Sequence, residues 1–129
     1  SWLAVAAGGA IGSMARHGVN RVVLDGWPAL RFPLATLIVN VLGSCVFGVL
    51  AGLVASNRLE MRAHWREFVF VGVLGGFTTF STFGLDTITL LRSGDMTDAI
   101  WNVGIQVVGG LAGVYGGLVL FERLGSAVR

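Results

Sequence analysis

One uncharged apolar stretch limits what this chain can fold into. Residues 33–55 read PLATLIVNVLGSCVFGVLAGLVA and contain no Asp, Glu, Lys or Arg. A helix of about 20 apolar residues crosses the hydrocarbon core of a bilayer. Residues 99–120 form a second uncharged stretch, and residues 68–91 form a third that contains one charge, Asp86. These lengths predict membrane-spanning helices.

The composition agrees with a membrane protein. The 129 residues are 54% hydrophobic and only 12% charged, with a mean hydropathy of +0.78, whereas a soluble domain is about a quarter charged. The basic residues are all arginine, and the net charge of +2 is spread without a basic stripe, which argues against nucleic-acid binding. Cys45 is the single cysteine, so no disulfide forms within the chain. No charged segment precedes the N-terminal apolar run, so we expect no cleavable signal peptide.

A fourth, less apolar span is predicted at the N-terminus. Residues 2–15 are apolar, Arg16 and His17 follow, and the chain becomes apolar again at residues 22–24. We interpret residues 2–24 as one helix with Arg16 on a protected face. The fold class is therefore an all-α membrane protein, one four-helix domain over residues 1–129 with spans at about 2–24, 33–55, 68–91 and 99–120. Near the ends of these spans lie aromatic residues typical of interfacial anchors, Trp27, Trp65 and Trp101.

The arginines do not favour one orientation in the membrane. Four spans place both termini on one side, together with Arg58, Arg62, Arg66, Arg123 and Arg129. The other side holds Arg16, Arg21, Arg31 and Arg92. An excess of basic residues on one side sets orientation, and this difference is small. Either the protein is small and its signal weak, or the chain inserts in both orientations.

Glycines at four-residue spacing predict close helix contacts. They are Gly8 and Gly12 on the first span, Gly48 and Gly52 on the second, and Gly109, Gly113 and Gly117 on the fourth. Small residues at this spacing let helix backbones approach in lipid. Packing within one bundle explains most of them. Because four such helices enclose little space, a polar pathway would lie between protomers, which predicts an oligomer.

Polar side chains align on three of the predicted helices. Asn40 lies on one face of the second span with Thr36 and Ser44, and Asn102 lies four residues before Gln106 on the fourth. The third span carries Thr78, Thr79, Ser81 and Thr82. Hydroxyls often bond back to their own helix, and a buried amide often joins two helices. Three aligned polar faces in one small protein indicate the lining of a narrow hydrophilic path.

The segment GGFTTFSTF, residues 75–83, places hydroxyls beside aromatic rings. Phe80 and Phe83 stand among the hydroxyls, and the edges of their rings carry partial positive charge. Uncharged donors and ring edges suit a small dehydrated anion. Gly75 and Gly76 permit a helix break, and a broken helix offers N–H groups to an anion and carbonyls to a cation. The residues alone leave the identity of the ion open.

The same segment closely resembles the signature of the Fluc (CrcB) family of fluoride channels. The resemblance extends over the chain, through GGAIGSMAR at residues 8–16, LATLIVNVLGS at residues 34–44 and the glycine-lined last helix. It implies an antiparallel, dual-topology homodimer in the cytoplasmic membrane, with a third helix broken in mid-membrane and two pores. It also implies passive export of fluoride, with the inverted protomer and the lipid bilayer as partners.

The resemblance also assigns roles to residues. Asn40, Phe80 and Phe83 would coordinate fluoride, and Ser81 and Thr82 would supply hydroxyls to the pathway. The carbonyls of Gly75 and Thr78 would hold a structural sodium ion at the dimer centre, and Arg16 would attract anions at the vestibule. On the fourth helix Asn102 and Gln106 match the family's polar track, whereas Gly110 and Val114 stand where other members have hydroxyls. Asp86 either contributes to the path or reaches toward water.

Two other functions remain to be weighed. A proton-coupled exporter of the small multidrug-resistance type needs a titratable carboxylate deep in the membrane, and Asp86 is the one acid in the predicted spans, displaced toward a span end. An assembly subunit would use its glycines and hydroxyls only to join helices. We do not expect an enzyme, because the sequence contains no P-loop, paired catalytic carboxylates, nucleophile triad or metal-ligand cluster.

Overall fold

The computed structural model describes residues 1–127, with side chains described to residue 124, and every regular element in this range is helical. The first two helices are α1 (Trp2–Gly26) and α2 (Leu34–Ala55). A composite third helix follows: α3 (Ala63–Arg66), a π-helical segment (Glu67–Leu74), α4 (Gly75–Phe77) and α5 (Phe80–Arg92). The chain ends in α6 (Met96–Ala127). Arg129, which the orientation argument used, lies outside the described residues.

Three helical stretches are long and apolar enough to cross a membrane. They are Leu34–Ala55, Ala63–Arg92 and Met96–Leu124. This confirms an all-helical chain with several candidate spans. The predicted first span is one continuous helix, α1, but its second half is polar because it contains Arg16, His17, Asn20 and Arg21. Its crossing of the membrane therefore stays a prediction.

The third helix is interrupted close to the predicted position, but at Thr78 and Thr79, whereas Gly75 and Gly76, where the sequence allowed the break, are helical. Thr78 and Thr79 adopt extended backbone angles, with ψ of 157° and 114°, between the end of α4 and the start of α5. The side chain of Thr79 caps α5, because its hydroxyl accepts a hydrogen bond from the Thr82 N–H at 3.3 Å. Two short helices thus point their ends at one another near the middle of a long apolar stretch.

Glycines bring α1 against the broken helix. A Cβ added at Gly72 would lie 2.8 Å from the Gly8 Cα, and one added at Gly76 would lie 2.8 Å from the Gly9 carbonyl oxygen. Real side-chain carbons do not approach so closely. The backbone of α1 therefore touches the backbone of the π-helical segment and of α4, and this contact fixes the N-terminal side of the break.

A second glycine contact joins α2 to α6. A Cβ at Gly48 would meet the Val114 Cα at 2.7 Å, and one at Gly52 would meet the Gly117 carbonyl oxygen at 2.8 Å. The predicted four-residue glycine spacing on these helices therefore serves contacts within the chain. Because the backbones are so close, polar side chains on facing turns of α2 and α6 reach one another directly.

We predict that Gly117→Ala destabilises the protein, because the new methyl group would lie 2.6 Å from the Gly48 carbonyl carbon. Overpacking of this kind costs about 1–3 kcal/mol. The measurement is thermal unfolding in detergent. The matched control is Gly116→Ala on the same helix, where a Cβ meets nothing within 4 Å. Alanine favours a helix over glycine by about 1 kcal/mol, so the control should unfold at the same or a higher temperature. Equal melting of both variants would contradict the close contact.

Candidate functional site

The side chain of Asn40 closes the helix break. Its Oδ1 accepts a hydrogen bond from the Thr79 N–H at 2.8 Å, and its Nδ2 donates to the Thr79 carbonyl oxygen at 3.0 Å. One amide on α2 thus satisfies both backbone groups of the extended residue. In an unbroken helix the Thr79 N–H would donate to the Gly75 carbonyl. The Gly75 carbonyl therefore loses its helical donor, and Gly75 lies exposed on the surface of the single chain.

A chain of amides leads from Asn40 across α6. Asn40 Nδ2 donates to Gln106 Oε1 at 2.6 Å, and Gln106 Nε2 donates to Asn102 Oδ1 at 2.7 Å. Asn102 Nδ2 donates to the Thr87 hydroxyl at 3.0 Å, and this hydroxyl donates to the Phe83 carbonyl at 2.8 Å. Asn102 is fully buried, and Gln106 is 7% exposed. The chain of bonds therefore links α2, α6 and α5, with its middle member, the bond between Gln106 and Asn102, buried.

A first cavity of about 530 Å³ lies beside Asn40. Its polar lining comes from Asn40, Ser44, Thr78, Thr79 and Gln106, and its aromatic lining comes from Phe47, Phe70, Phe80 and Phe83. The rings of Phe80 and Phe83 lie 5.6 Å apart at 49°, and those of Phe47 and Phe70 lie 4.9 Å apart, edge to face. Gly75, Gly110 and Val114 also line it. A few amide and hydroxyl groups thus face a largely apolar space.

A second cavity of about 380 Å³ lies on the other side of the break. Its lining is almost wholly polar: Ser13, Arg16, His17, Asn20, Thr36, Val39, Thr79, Ser81 and Thr82. It contains no carboxylate, and within residues 1–124 Arg16 makes no ion pair. The N-terminus of α5, the positive end of its helix dipole, opens at Thr79 and Ser81. This cavity therefore favours an anion.

Thr79 lines both cavities, so the break is the wall between them. A third cavity of about 390 Å³ adjoins the second and shares Asn20, Thr36 and Thr82 with it. There the Thr36 hydroxyl donates to the Asp86 carboxylate at 2.9 Å. A polar route thus leads from the loop before α2 to the helix break.

The predicted site residues separate into groups. Asn40, Phe80, Phe83, Gln106, Gly75 and Thr78 line the first cavity, while Arg16, Ser81 and Thr82 line the second. Asn102 lines none of the three cavities and contacts the site through Gln106. Within residues 1–124 no group of three His, Cys, Asp or Glu side chains could hold a metal ion.

The sequence analysis missed two contacts. Thr87 was not singled out, although its position four residues after Phe83 is the spacing at which a hydroxyl reaches a helix carbonyl. The pairing of Thr36 with Asp86 was also not predicted, since the two residues are 50 positions apart. The polar residues in the last half of the third helix, Asp86, Thr87 and Thr89, were the one available signal for either contact.

Comparison with known proteins gives consistent matches. A family model described as CrcB-like protein, Camphor Resistance (CrcB), matches residues 3–118. A relative from Paracoccus denitrificans, named fluoride-specific ion channel FluC, is 46% identical over 124 residues, covering 96% of each chain. The protein of the same name from Saccharophagus degradans is 43% identical over 95% of this chain and 90% of its own. Fluoride-specific ion channel FluC 2 from Symbiobacterium thermophilum is 46% identical over 92% and 95%.

We predict that Asn40→Leu destabilises the protein strongly. The substitution keeps the size of the side chain but leaves the Thr79 N–H, the Thr79 carbonyl and Gln106 Oε1 without their partner. Each buried unsatisfied group costs about 1–3 kcal/mol. The measurement is thermal unfolding in detergent. Ser44→Ala, one turn later on α2 and in the same cavity, is the control and should melt as the native protein does. A native melting temperature for Asn40→Leu would show that the break does not depend on this amide.

Proposed function

Because the chain belongs to the CrcB family, we propose that it is a fluoride-selective ion channel of the cytoplasmic membrane, which passively exports fluoride. The relatives whose names state this activity match almost the full length of the chain. The observation that carries the proposal is the first cavity, where the Asn40 side chain and phenylalanine rings line one space beside a helix break.

The first cavity suits fluoride because its donors are uncharged. Amide and hydroxyl groups of Asn40, Gln106 and Ser44 line it, and the ring edges of Phe80 and Phe83 carry partial positive charge. An anion that loses its water here gains directed hydrogen bonds. A positive side chain at the same place would hold the ion too tightly for release, since conduction needs sites that are favourable to enter and weak enough to leave.

The second cavity acts as the vestibule in this proposal. Arg16 supplies a positive charge, and Ser81 and Thr82 supply hydroxyls next to it. The start of α5 adds the positive end of a helix dipole. An anion attracted to Arg16 would pass the hydroxyls and reach Thr79, the residue that borders both cavities. Gln106 lines the next part of the path, and Asn102 supports it from behind.

Passive conduction fits the distribution of acids. A negative cell interior favours anion exit by about 2.3 kcal/mol per 100 mV, so no coupling device is needed. A proton-coupled exporter would need a carboxylate in the central site. The first and second cavities contain none, and Asp86 lies in the third, bonded to Thr36. The channel is therefore favoured over the exporter.

A structural sodium ion fits the residues that the family resemblance names. In an unbroken helix the Thr79 N–H would donate to the Gly75 carbonyl, but here it donates to Asn40 Oδ1 instead. Gly75 is also exposed on the surface of the single chain. Carbonyls freed by an interrupted membrane helix are suitable sodium ligands. The carbonyls of Gly75 and Thr78, from this chain and a second copy, would hold the ion, which would supply a fixed positive charge at the dimer centre.

An inverted second copy would complete the pore. Phe80 is 83% exposed although it stands near the middle of the candidate span Ala63–Arg92. The near balance of arginines favours insertion in both orientations. In this arrangement α1 also crosses the membrane, as the N-terminal span. Its 25 residues extend for roughly 37 Å at 1.5 Å per residue, and it packs along the third helix through Gly8 and Gly12.

We predict rapid fluoride efflux, and negligible chloride efflux, from liposomes that contain the purified protein, with valinomycin and potassium to set the voltage. The reason is the cavity of uncharged donors, which rewards a small anion. Liposomes without protein give the leak rate. A third arm replaces sodium by N-methylglucamine during purification, and loss of flux there would support the sodium site. No fluoride efflux from folded protein in sodium would contradict the channel.

A variant arm of the same assay tests the role of Asn40. Asn40→Asp places a negative charge beside the cavity and removes the donors that bond the Thr79 carbonyl and Gln106. We expect fluoride efflux to fall by at least about tenfold, since like charges repel strongly in a low dielectric. Asn57→Asp, which makes the same charge change at an exposed residue outside the three cavities, is the control. Undiminished efflux from Asn40→Asp would remove Asn40 from the proposed pathway.

We predict that the chain inserts in both orientations. Ser93 is exposed in the turn between α5 and α6, so Ser93→Cys in a Cys45→Ala background places one thiol at a membrane face. An impermeant maleimide added to intact cells should label about half of the protein if the arginine balance gives no preferred orientation. Permeabilised cells give the full-labelling control. Labelling of all or none of the protein from outside would contradict dual topology.

A further inference from the structure

The hydrogen bonds between Asn40 and Phe83 all run in one direction. At one end the Phe83 carbonyl can only accept, so the Thr87 hydroxyl donates to it at 2.8 Å and is left to accept from Asn102 Nδ2. This orients the Asn102 amide with its oxygen toward Gln106. Gln106 must then donate its nitrogen to Asn102, which leaves its oxygen to accept from Asn40. One backbone carbonyl thus sets the polarity of three amides.

This polarity matters at Asn40. Its nitrogen donates to Gln106 Oε1 and to the Thr79 carbonyl, and its oxygen accepts from the Thr79 N–H. If Gln106 turned over, two NH₂ groups would face one another at 2.6 Å. Asn40 could avoid that conflict only by turning over too, which would break both of its bonds to Thr79.

We propose that Thr87 and Asn102 are positioning residues: they fix the amide orientation of Gln106, whose oxygen then helps hold the Asn40 amide on the Thr79 backbone at the helix break. The inference rests on the proposed function, because it concerns the anion site of that channel. Neither residue lines any of the three cavities. They act on the site only through the side-chain amides of Gln106 and Asn40.

The test is Thr87→Val, which keeps the side-chain shape and removes the hydroxyl. With the hydroxyl lost, Asn102 Nδ2 and the Phe83 carbonyl lose their partner, and the amide chain stays anchored only at its Thr79 end. We expect fluoride efflux to fall about tenfold, the effect of roughly one buried hydrogen bond, with a higher half-saturating fluoride concentration. Thr87→Ser should restore the native values. Ser93→Ala is the control, because that hydroxyl also donates to the carbonyl four residues earlier, at 2.8 Å, but accepts from no amide.

A double-mutant cycle separates positioning from a general loss of stability. In a Gln106→Leu background the amide chain is already cut, so Thr87→Val should have no further effect on efflux. Should Thr87→Val fail to fold, Thr87→Ala, which lacks the same hydroxyl, replaces it in the cycle. Exchange of the Thr79 amide hydrogen should also become faster in the valine variant, because Asn40 holds that N–H.

The outcomes distinguish the two proposals. Native protein that does not conduct fluoride would overturn the proposed function, and this inference with it. Native protein that conducts, together with Thr87→Val at the native rate, would overturn the inference alone. A loss of efflux that is equal with and without Gln106 would also overturn it, because Thr87 would then act by another route. Loss that depends on Gln106, with rescue by serine, is the expected result.

Discussion

The two hydrogen bonds between the Asn40 side chain and the Thr79 backbone hold the rest of the site in place. An interrupted helix in lipid exposes backbone groups that water cannot satisfy, and each such group costs several kcal/mol. Asn40 satisfies those of Thr79 from a neighbouring helix. The break can therefore persist in mid-span, with the start of α5 directed at the second cavity and the Gly75 carbonyl released. Without this amide, we expect the third helix to rejoin or the site to collapse.

The glycine contacts make this arrangement possible. Asn40 has a short side chain, and it reaches both the broken helix and Gln106 on α6. It can do so because Gly48 and Gly117 let the α2 and α6 backbones touch, and Gly72 lets α1 touch the broken helix from the other side. A larger residue at any of these positions would separate the helices by more than a hydrogen bond can span. Packing between small residues thus determines the polar geometry.

Much of the fold follows from the sequence because apolar length and helical period are local properties. The α2 helix begins and ends within one residue of the prediction, at Leu34–Ala55, and the break was expected from Gly75 and Gly76. The π-helical segment Glu67–Leu74 was not, since no local signal distinguishes a π turn from an α turn. The polarity of the amide chain was also out of reach. It depends on which atom of Asn102 faces Thr87, a relation between two helices that spacing along one helix does not determine.

The absence of hydroxyls at Gly110 and Val114 changes how the path in this chain must work. Both residues line the first cavity, where they offer an anion no hydrogen bond. An ion there depends on the rings of Phe47, Phe80 and Phe83 and on a small number of donors. With fewer donors, the orientation of each one matters more, because a single amide turned the wrong way would leave an unfavourable oxygen in a space with little to compensate it. In the proposed channel, the directed chain of hydrogen bonds from Phe83 to Asn40 would meet that need, since it holds the amides in place before an ion arrives.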